Sequence, residues 1–274
     1  MFQKYDVIVV GAGHAGCEAA AAAAKMGSKV LLATMNMQTI AQMSCNPAMG
    51  GVAKGQIVRE IDAMGGYSGI VSDKTMIQFR MLNLSKGPAM WSPRVQSDRM
   101  QFHLTWREML ENTPNIDFWQ DMVRELIVEN GKVCGIKTGM GIEIRANAVV
   151  LTNGTFLNGI IHIGEKQFGG GRAGEGASKG ITEQLVALGF ESGRMKTGTP
   201  PRIDGRSLDY TKMDVQDGDD EIVGFSYKNI EKPKEQRCCW MTYTNDKVHE
   251  LLKKKKKKSP MFQGRIKGLG PRYC

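Results

Sequence analysis

The sequence predicts an α/β protein built on a Rossmann-like sheet with a β-meander and a smaller inserted α+β domain. Three observations carry this. A short apolar run, Tyr5–Val10, leads into Gly11-Ala12-Gly13-His14-Ala15-Gly16 and then an Ala-rich stretch. Asn130-Gly131 separates two alternating segments, a strong hairpin signal. Beyond residue 195 or so the texture shifts to prolines, polar residues and an acidic loop.

In chain order, Tyr5–Val10 reads as a buried strand and 17–26 as a helix that Gly27 ends with a left-handed cap. Residues 29–33 read as a second strand, completing a βαβ unit. A G-x-G-x-x-G in this setting is a dinucleotide fingerprint. Gly11 permits the turn, Gly13 lets a pyrophosphate approach the backbone, and Gly16 lets helix and strand pack closely, while the helix amino terminus favours negative charge. His14 reads as a space-filling residue within the loop. A ribose site of this kind wants an acid at the end of the second strand. The chain offers Thr34-Met35-Asn36 instead, with Asn36 as a weaker acceptor. Segments 125–128, 132–137, 141–145 and 148–151 read as a meander, ending in the turn Thr152-Asn153-Gly154. Residues 237–244 read as a further strand, and a domain boundary is placed near 195–205, giving domains 1–200 and 201–274.

Composition narrows the function classes. The 37 basic and 28 acidic residues give a net charge of +9, but six of the positives are the single run Lys253–Lys258, which reads as a solvated helix end. Without it the balance is +3, so overall charge alone does not argue for nucleic acid. No uncharged apolar stretch reaches the roughly 18 residues of a membrane span, and the amino terminus lacks a secretory pattern. The expected location is the cytoplasm. The six cysteines, at 17, 45, 134, 238, 239 and 274, form no C-x-x-C pair, which argues against a zinc ribbon or a thioredoxin-like couple, and no metal site is expected.

A glycine loop, a meander and a strand ending in a T-x-G-type turn resemble the two-dinucleotide-binding flavoprotein architecture, which implies FAD as the first dinucleotide. Four segments make the resemblance specific: Gly11–Gly16 (GAGHAG), Met43–Gly51 (MSCNPAMGG), Ser85–Pro88 (SKGP) and Lys196–Ile203 (KTGTPPRI), with Gly268–Cys274 (GLGPRYC) as a fifth. Together they are similar to the MnmG (GidA) family, the FAD-dependent component of tRNA wobble-uridine modification. The match covers the amino-terminal part of that family's length, without its carboxy-terminal helical domain.

The resemblance implies addition of an aminomethyl or carboxymethylaminomethyl group at uridine C5. The carbon would come from methylenetetrahydrofolate and the electrons from reduced flavin replenished by NADH. The implied partners are tRNA and the GTPase MnmE, in a homodimer that joins MnmE in a heterotetramer, with no membrane. It also implies FAD contacts at Gly11, Ala12, Gly13, His14, Ala15, Gly16, Val123 and Ser178, and a nicotinamide-cofactor site at Gly270, Pro271, Arg272 and Tyr273. Uracil C5 is a poor nucleophile until a thiolate adds at C6. Cys45, in the polar loop after the second strand, and Cys274, which by the resemblance matches the family's second reactive cysteine, are the expected catalytic residues. Which of the two attacks stays open. Cys17 and Cys134 read as core. Arg80, Lys86, Arg94, Arg99 and Arg107 around Trp91 suggest an RNA surface or scattered surface charge, and Gly169–Gly174 with Arg172 suggests a phosphate or flavin contact. Three alternatives remain: a folate- and FAD-dependent tRNA uridine C5-methyltransferase, a small-molecule flavin oxidoreductase, and a non-catalytic cofactor-binding module.

Overall fold

The structure, a computed structural model, describes residues 4–266 and Gly268. The chain divides into two compact units. The first holds the chain up to Met43, Pro47–Gly154 and Asp217–Arg237; the second holds Ser44–Asn46, Thr155–Gln216 and the chain from Cys238. The change of texture near 195–205 lies inside the second unit, and the chain leaves the first unit at Gly154 and returns to it for Asp217–Arg237.

The first unit contains β1 (Tyr5–Val10), α1 (His14–Lys25), β2 (Val30–Thr34), β3 (Ala48–Gly50), α2 (Lys54–Ala63), α3 (Ser68–Lys74), β4 (Met76–Leu82), β5 (Ser92–Ser97), α4 (Arg99–Glu111), β6 (Ile116–Gln120), β7 (Val123–Glu129), β8 (Lys132–Thr138) and β9 (Glu143–Leu151). Its main sheet runs in the order β6-β2-β1-β9-β8-β7. β1 pairs in parallel with β2 and β9, and β2 with β6. Ile8, Val9, Val30 and Leu32 are wholly buried, as central parallel strands covered on both faces require. α1 turns Gly16, Cys17, Ala20, Ala21 and Ala24 inward, and α4 contributes Phe102, Trp106 and Leu110, a helical stripe with no exposure at all.

The first βαβ unit follows the sequence expectation, with one shift: the helix starts at His14, inside the glycine motif, with Gly13 as its N-cap. Gly27 takes φ +91° and ends α1, Ser28 N–H donating to the Ala23 carbonyl at 3.1 Å. Asn130 and Gly131 both have positive φ, 51° and 75°, as a two-residue hairpin turn demands. The two strands expected at 141–145 and 148–151 are one strand, β9. Its first residues pair antiparallel with β8 and the rest pair in parallel with β1. One strand therefore joins the meander to the parallel sheet.

A second sheet, β3-β5-β4, leaves β4 at its edge. The excursion Asp217–Arg237 covers that edge. Asp219 N–H donates to the Phe79 carbonyl at 2.9 Å and Arg237 N–H to the Ile77 carbonyl at 2.8 Å. The Gln236 and Asp219 side chains accept from Phe79 N–H at 2.6 Å and Met81 N–H at 2.5 Å. Two buried carboxylates hold the middle of the excursion. Asp73 accepts from the N–H groups of Phe225 and Ser226 and pairs with Lys232 at 3.1 Å; Asp62 accepts from Tyr227 N–H at 2.8 Å. The Phe225 ring is fully buried and occupies the space that a Cβ on Gly50 would need.

The second unit holds the hairpin β10 (Ile160–Ile163) and β11 (Lys166–Gly169), the helix α5 (Ile181–Ala187), the pair β12 (Asp214–Gln216) and β13 (Cys239–Met241), and the helix α6 (Asp246–Lys255). The strand expected over 237–244 is reduced to β13. Arg237 belongs to the first unit, where its N–H donates to the Ile77 carbonyl at 2.8 Å.

Candidate functional site

At the carboxyl end of β1 the chain turns sharply because Gly11 has φ +99°, and a Cβ there would sit 2.7 Å from the Thr152 carbonyl. A Cβ on Gly16 would strike the Gly11 carbonyl and approach Thr152 Oγ1 to 2.7 Å. Thr152 is the counterpart of both glycines: its hydroxyl lies 2.9 Å from the Val10 carbonyl and 2.8 Å from the Gly11 carbonyl, locking the end of β9 to the loop. Gly13 differs from them. A Cβ on it would meet nothing within 4 Å, no side chain caps α1, and its first turn carries no acid. The early N–H groups of a helix have no intrahelical partner. An open, glycine-lined, uncapped helix start is a cradle for an anion, and these residues fit the diphosphate of a dinucleotide.

The segment after β2 folds back over this loop. Ala41 N–H donates to the Ala12 carbonyl at 2.8 Å, and His14 Nε2 donates to the Ala41 carbonyl at 3.1 Å. A carbonyl only accepts, so the proton of the neutral ring is on Nε2. Burial lowers the His14 pKa, outweighing the hydrogen bond to Ala41, and the charge of Lys54 lowers it further. The ring packs on Phe102 at 5.4 Å between centroids. His14 therefore fills space, as the sequence suggests, and also clips two loops together, which the sequence does not indicate.

At the end of β2, Asn36 is committed to local structure: its Oδ1 accepts from Gln38 N–H at 2.8 Å, while Gln120 Oε1 accepts from Met37 N–H at 2.9 Å. The nearby acid, Asp121, accepts from the N–H groups of Met122 at 2.6 Å and Met140 at 3.0 Å. Asp121 N–H donates to the Thr34 carbonyl at 3.0 Å, which ties the β6–β7 connection to the end of β2. Val123, buried at the start of β7, thus lies on the same edge of the sheet as the glycine loop, outside the carboxyl ends of the parallel strands. Open α/β sheets bind ligands at that edge.

The other expected site residues fall in the second unit or beyond the described residues. Ser178 is buried, with its backbone bonded to Phe156 and Asn158 at 2.8 Å each. Cys45 is half-buried; its Sγ lies 3.6 Å from Thr199 Oγ1, and its carbonyl accepts from the Arg202 guanidinium. Both partners belong to the KTGTPPR segment, 154 and 157 residues away in sequence. Gly270, Pro271, Arg272, Tyr273 and Cys274 lie outside the described residues. Cys17 is buried on α1, and burial pushes its thiol far above the ordinary range. Cys134, expected in the core, is half-exposed. Among the described residues no cluster of His, Cys, Asp or Glu could hold a metal ion, and no helix is long and apolar enough to cross a membrane. Of the suggested basic surface, Arg80 pairs with Asp219 at 3.5 Å and Arg107 with Glu111 at 2.7 Å. Arg172 pairs with Glu175 at 3.0 Å.

Comparison with known proteins bears directly on this geometry. The family model described as "Glucose inhibited division protein A" matches residues 6–274. The chain belongs to the GidA family. Two relatives called tRNA uridine 5-carboxymethylaminomethyl modification enzyme MnmG are similar throughout. That of Cytophaga hutchinsonii is 74% identical over 100% of this chain, and that of Flavobacterium johnsoniae 71% identical over 99%. In both cases the alignment takes in 44% of the relative, so this GidA-family chain spans less than half their length. The crystal structure of Aquifex aeolicus GidA superposes with a TM-score of 0.92 at 46% identity, over 99% of this chain and 46% of that one.

Proposed function

We propose that this chain is the cofactor-binding portion of an FAD-dependent enzyme that modifies the tRNA wobble uridine at C5. The observation that carries the reading is the open Gly13 cradle at the start of α1, in a chain whose residues 6–274 match the GidA family. In this reading the backbone of Gly11–Gly16 holds the FAD diphosphate, and Val123 and Ser178 touch the same cofactor. Gly270, Pro271, Arg272 and Tyr273 contribute to a site for NADH. The flavin, when bound, would supply the electron-transfer chemistry of the site.

The chain's own chemistry is nucleophilic. A thiolate from Cys45 or Cys274 adds to uracil C6, which leaves electron density at C5 to attack a one-carbon unit derived from methylenetetrahydrofolate. Loss of the C5 proton, replacement of tetrahydrofolate on the transferred methylene by an amine co-substrate, and departure of the thiolate restore the ring and leave an aminomethyl-type group at C5. The cytoplasm is the expected compartment, with MnmE and a second copy of the chain as partners.

The test is the visible absorption spectrum of the purified chain, repeated after anaerobic addition of NADH. A two-banded oxidised-flavin spectrum that bleaches supports the reading. Failure to take up FAD on reconstitution would overturn it for this chain.

A further inference from the structure

The Lys253–Lys258 run has no part in the cofactor site. We infer that it is a docking element for the phosphate ridges of an RNA helix, an inference that rests on the tRNA reading above. α6 starts at Asn245, whose side chain accepts from Val248 N–H at 3.1 Å, and continues into the short 3-10 turn Lys256–Lys258. Every residue of both elements is exposed. Among the described residues no carboxylate lies within ion-pair distance of any of the six lysines. The acids of α6, Asp246 and Glu250, are both upstream of the run. Lys256 Nζ rests over the Phe262 ring at 5.1 Å from its centroid, and the run as a whole, six ammonium groups on about two turns, overwhelms the partial negative charge of the helix end.

The arrangement of these charges selects the partner. Successive residues rotate by about 100° in an α-helix and about 120° in a 3-10 turn, so six consecutive lysines point in every direction around the axis. A lipid surface selects a helix with basic and apolar faces kept apart. Val248, Leu251 and Leu252 do form an exposed apolar stripe, but the lysines that follow encircle the axis and are not confined to the opposite face. A flat anionic surface would engage one side of such a rod. The A-form major groove is too narrow to admit the helix itself, but phosphates line both edges of its mouth, so lysines on two sides of a rod laid along that mouth reach both phosphate ridges.

The test measures binding of the 274-residue chain to an unmodified tRNA transcript, to an RNA duplex of unrelated sequence, and to phosphatidylglycerol vesicles, between 50 and 200 mM salt. One variant carries glutamine, and a second arginine, at all six positions 253–258. All six positions are exposed, so the fold is expected to persist, with an unchanged circular dichroism spectrum as the check. For both RNAs the glutamine variant is expected to bind at least ~tenfold more weakly, and its log K against log salt slope to fall by about 3 or more, at about 0.9 per lost phosphate contact. The arginine variant should restore both. Equal slopes for wild type and glutamine variant would overturn the inference and leave the tRNA reading intact. Lysine-dependent binding to the duplex but not to tRNA would keep the inference and count against the tRNA reading. Lysine-dependent binding to vesicles alone would overturn the inference in favour of a lipid surface.

Discussion

The His14 imidazole donates through Nε2 to the Ala41 carbonyl at 3.1 Å, joining the first turn of α1 to the segment that follows β2. The ring is held neutral by burial, so its folded pKa lies below that of the unfolded chain. The unfolded state therefore takes up a proton first as pH falls. Stability from this site is complete above about pH 6.5 and declines below it, by up to about 1.4 kcal/mol per pH unit until the folded ring also protonates. His14→Gln keeps a donor at the same reach and does not titrate. The drop in melting temperature between pH 7.5 and 5.5 should be smaller in this variant than in the wild type. Equal drops would show that His14 does not carry the effect, leaving His103, whose pKa is also lowered by burial and then by Arg107, as the group to test.

Gly13 and Gly16 lie three residues apart and should fail in different ways. Gly13 has extended backbone, φ −74° and ψ −177°, which alanine adopts freely, and its Cβ would project into open space. Gly13→Ala should therefore leave stability within about 0.5 kcal/mol of wild type while weakening FAD binding at least ~tenfold, because the methyl group fills the cradle. Gly16→Ala pushes a methyl group into the Gly11 carbonyl and Thr152, a conflict worth about 1–3 kcal/mol or more. Melting temperature and flavin-fluorescence titration on both variants separate the two effects. Tight FAD binding by Gly13→Ala would mean that the diphosphate lies elsewhere.

Where structure is decided over a few neighbouring residues, the sequence is readable. The Gly11 turn, the Gly27 cap and the Asn130-Gly131 hairpin all depend on backbone angles that only certain residues adopt. The start of α1 is harder to place because its N-cap, Gly13, offers no side-chain signal. β9 looks like two strands because alternating residues near Ile144 face the meander, while 148–151 run through the parallel sheet. The Asp217–Arg237 excursion is not legible at all. It reads as an acidic loop, and its anchors are side chains bonding backbone up to 165 residues away. The same distance hides the Thr199 and Arg202 contacts of Cys45, although each segment is recognisable on its own.

The excursion gives a stability prediction. Phe225 is fully buried and seated by Asp73, and a Cβ on Gly224, at φ +75°, would lie 2.6 Å from Asp73 Oδ2. Phe225→Ala should cost about 3–5 kcal/mol locally, and Gly224→Ala should loosen the same clasp. The sensitive readout is hydrogen exchange at Phe79 and Met81, whose N–H groups are bonded by Gln236 and Asp219. Both should exchange faster in either variant, with Phe225→Leu intermediate. Unchanged protection would show that the edge of β4 is held independently of Phe225.

Cys45 provides the last prediction, and it concerns reactivity. With the sulfur ionised, the Thr199 hydroxyl 3.6 Å away can only donate to it, and that hydrogen bond favours the thiolate. Such a bond contributes about 1 kcal/mol, or roughly a fivefold change in an equilibrium. Thr199→Val should therefore slow iodoacetamide labelling of Cys45 at pH 7 about fivefold, and Thr199→Ser should restore it. Mass spectrometry of the separate peptides distinguishes Cys45 from Cys17, which should stay unlabelled in the native chain because burial keeps its thiol protonated. A merely structural role for Thr199 would alter the exposure of Cys45 and change its labelling by the same factor at pH 7 and pH 10. Loss of the thiolate partner should instead give a deficit at pH 7 that narrows as pH rises and the sulfur ionises without help. A pH-independent deficit, or none, would remove Thr199 from the chemistry of Cys45.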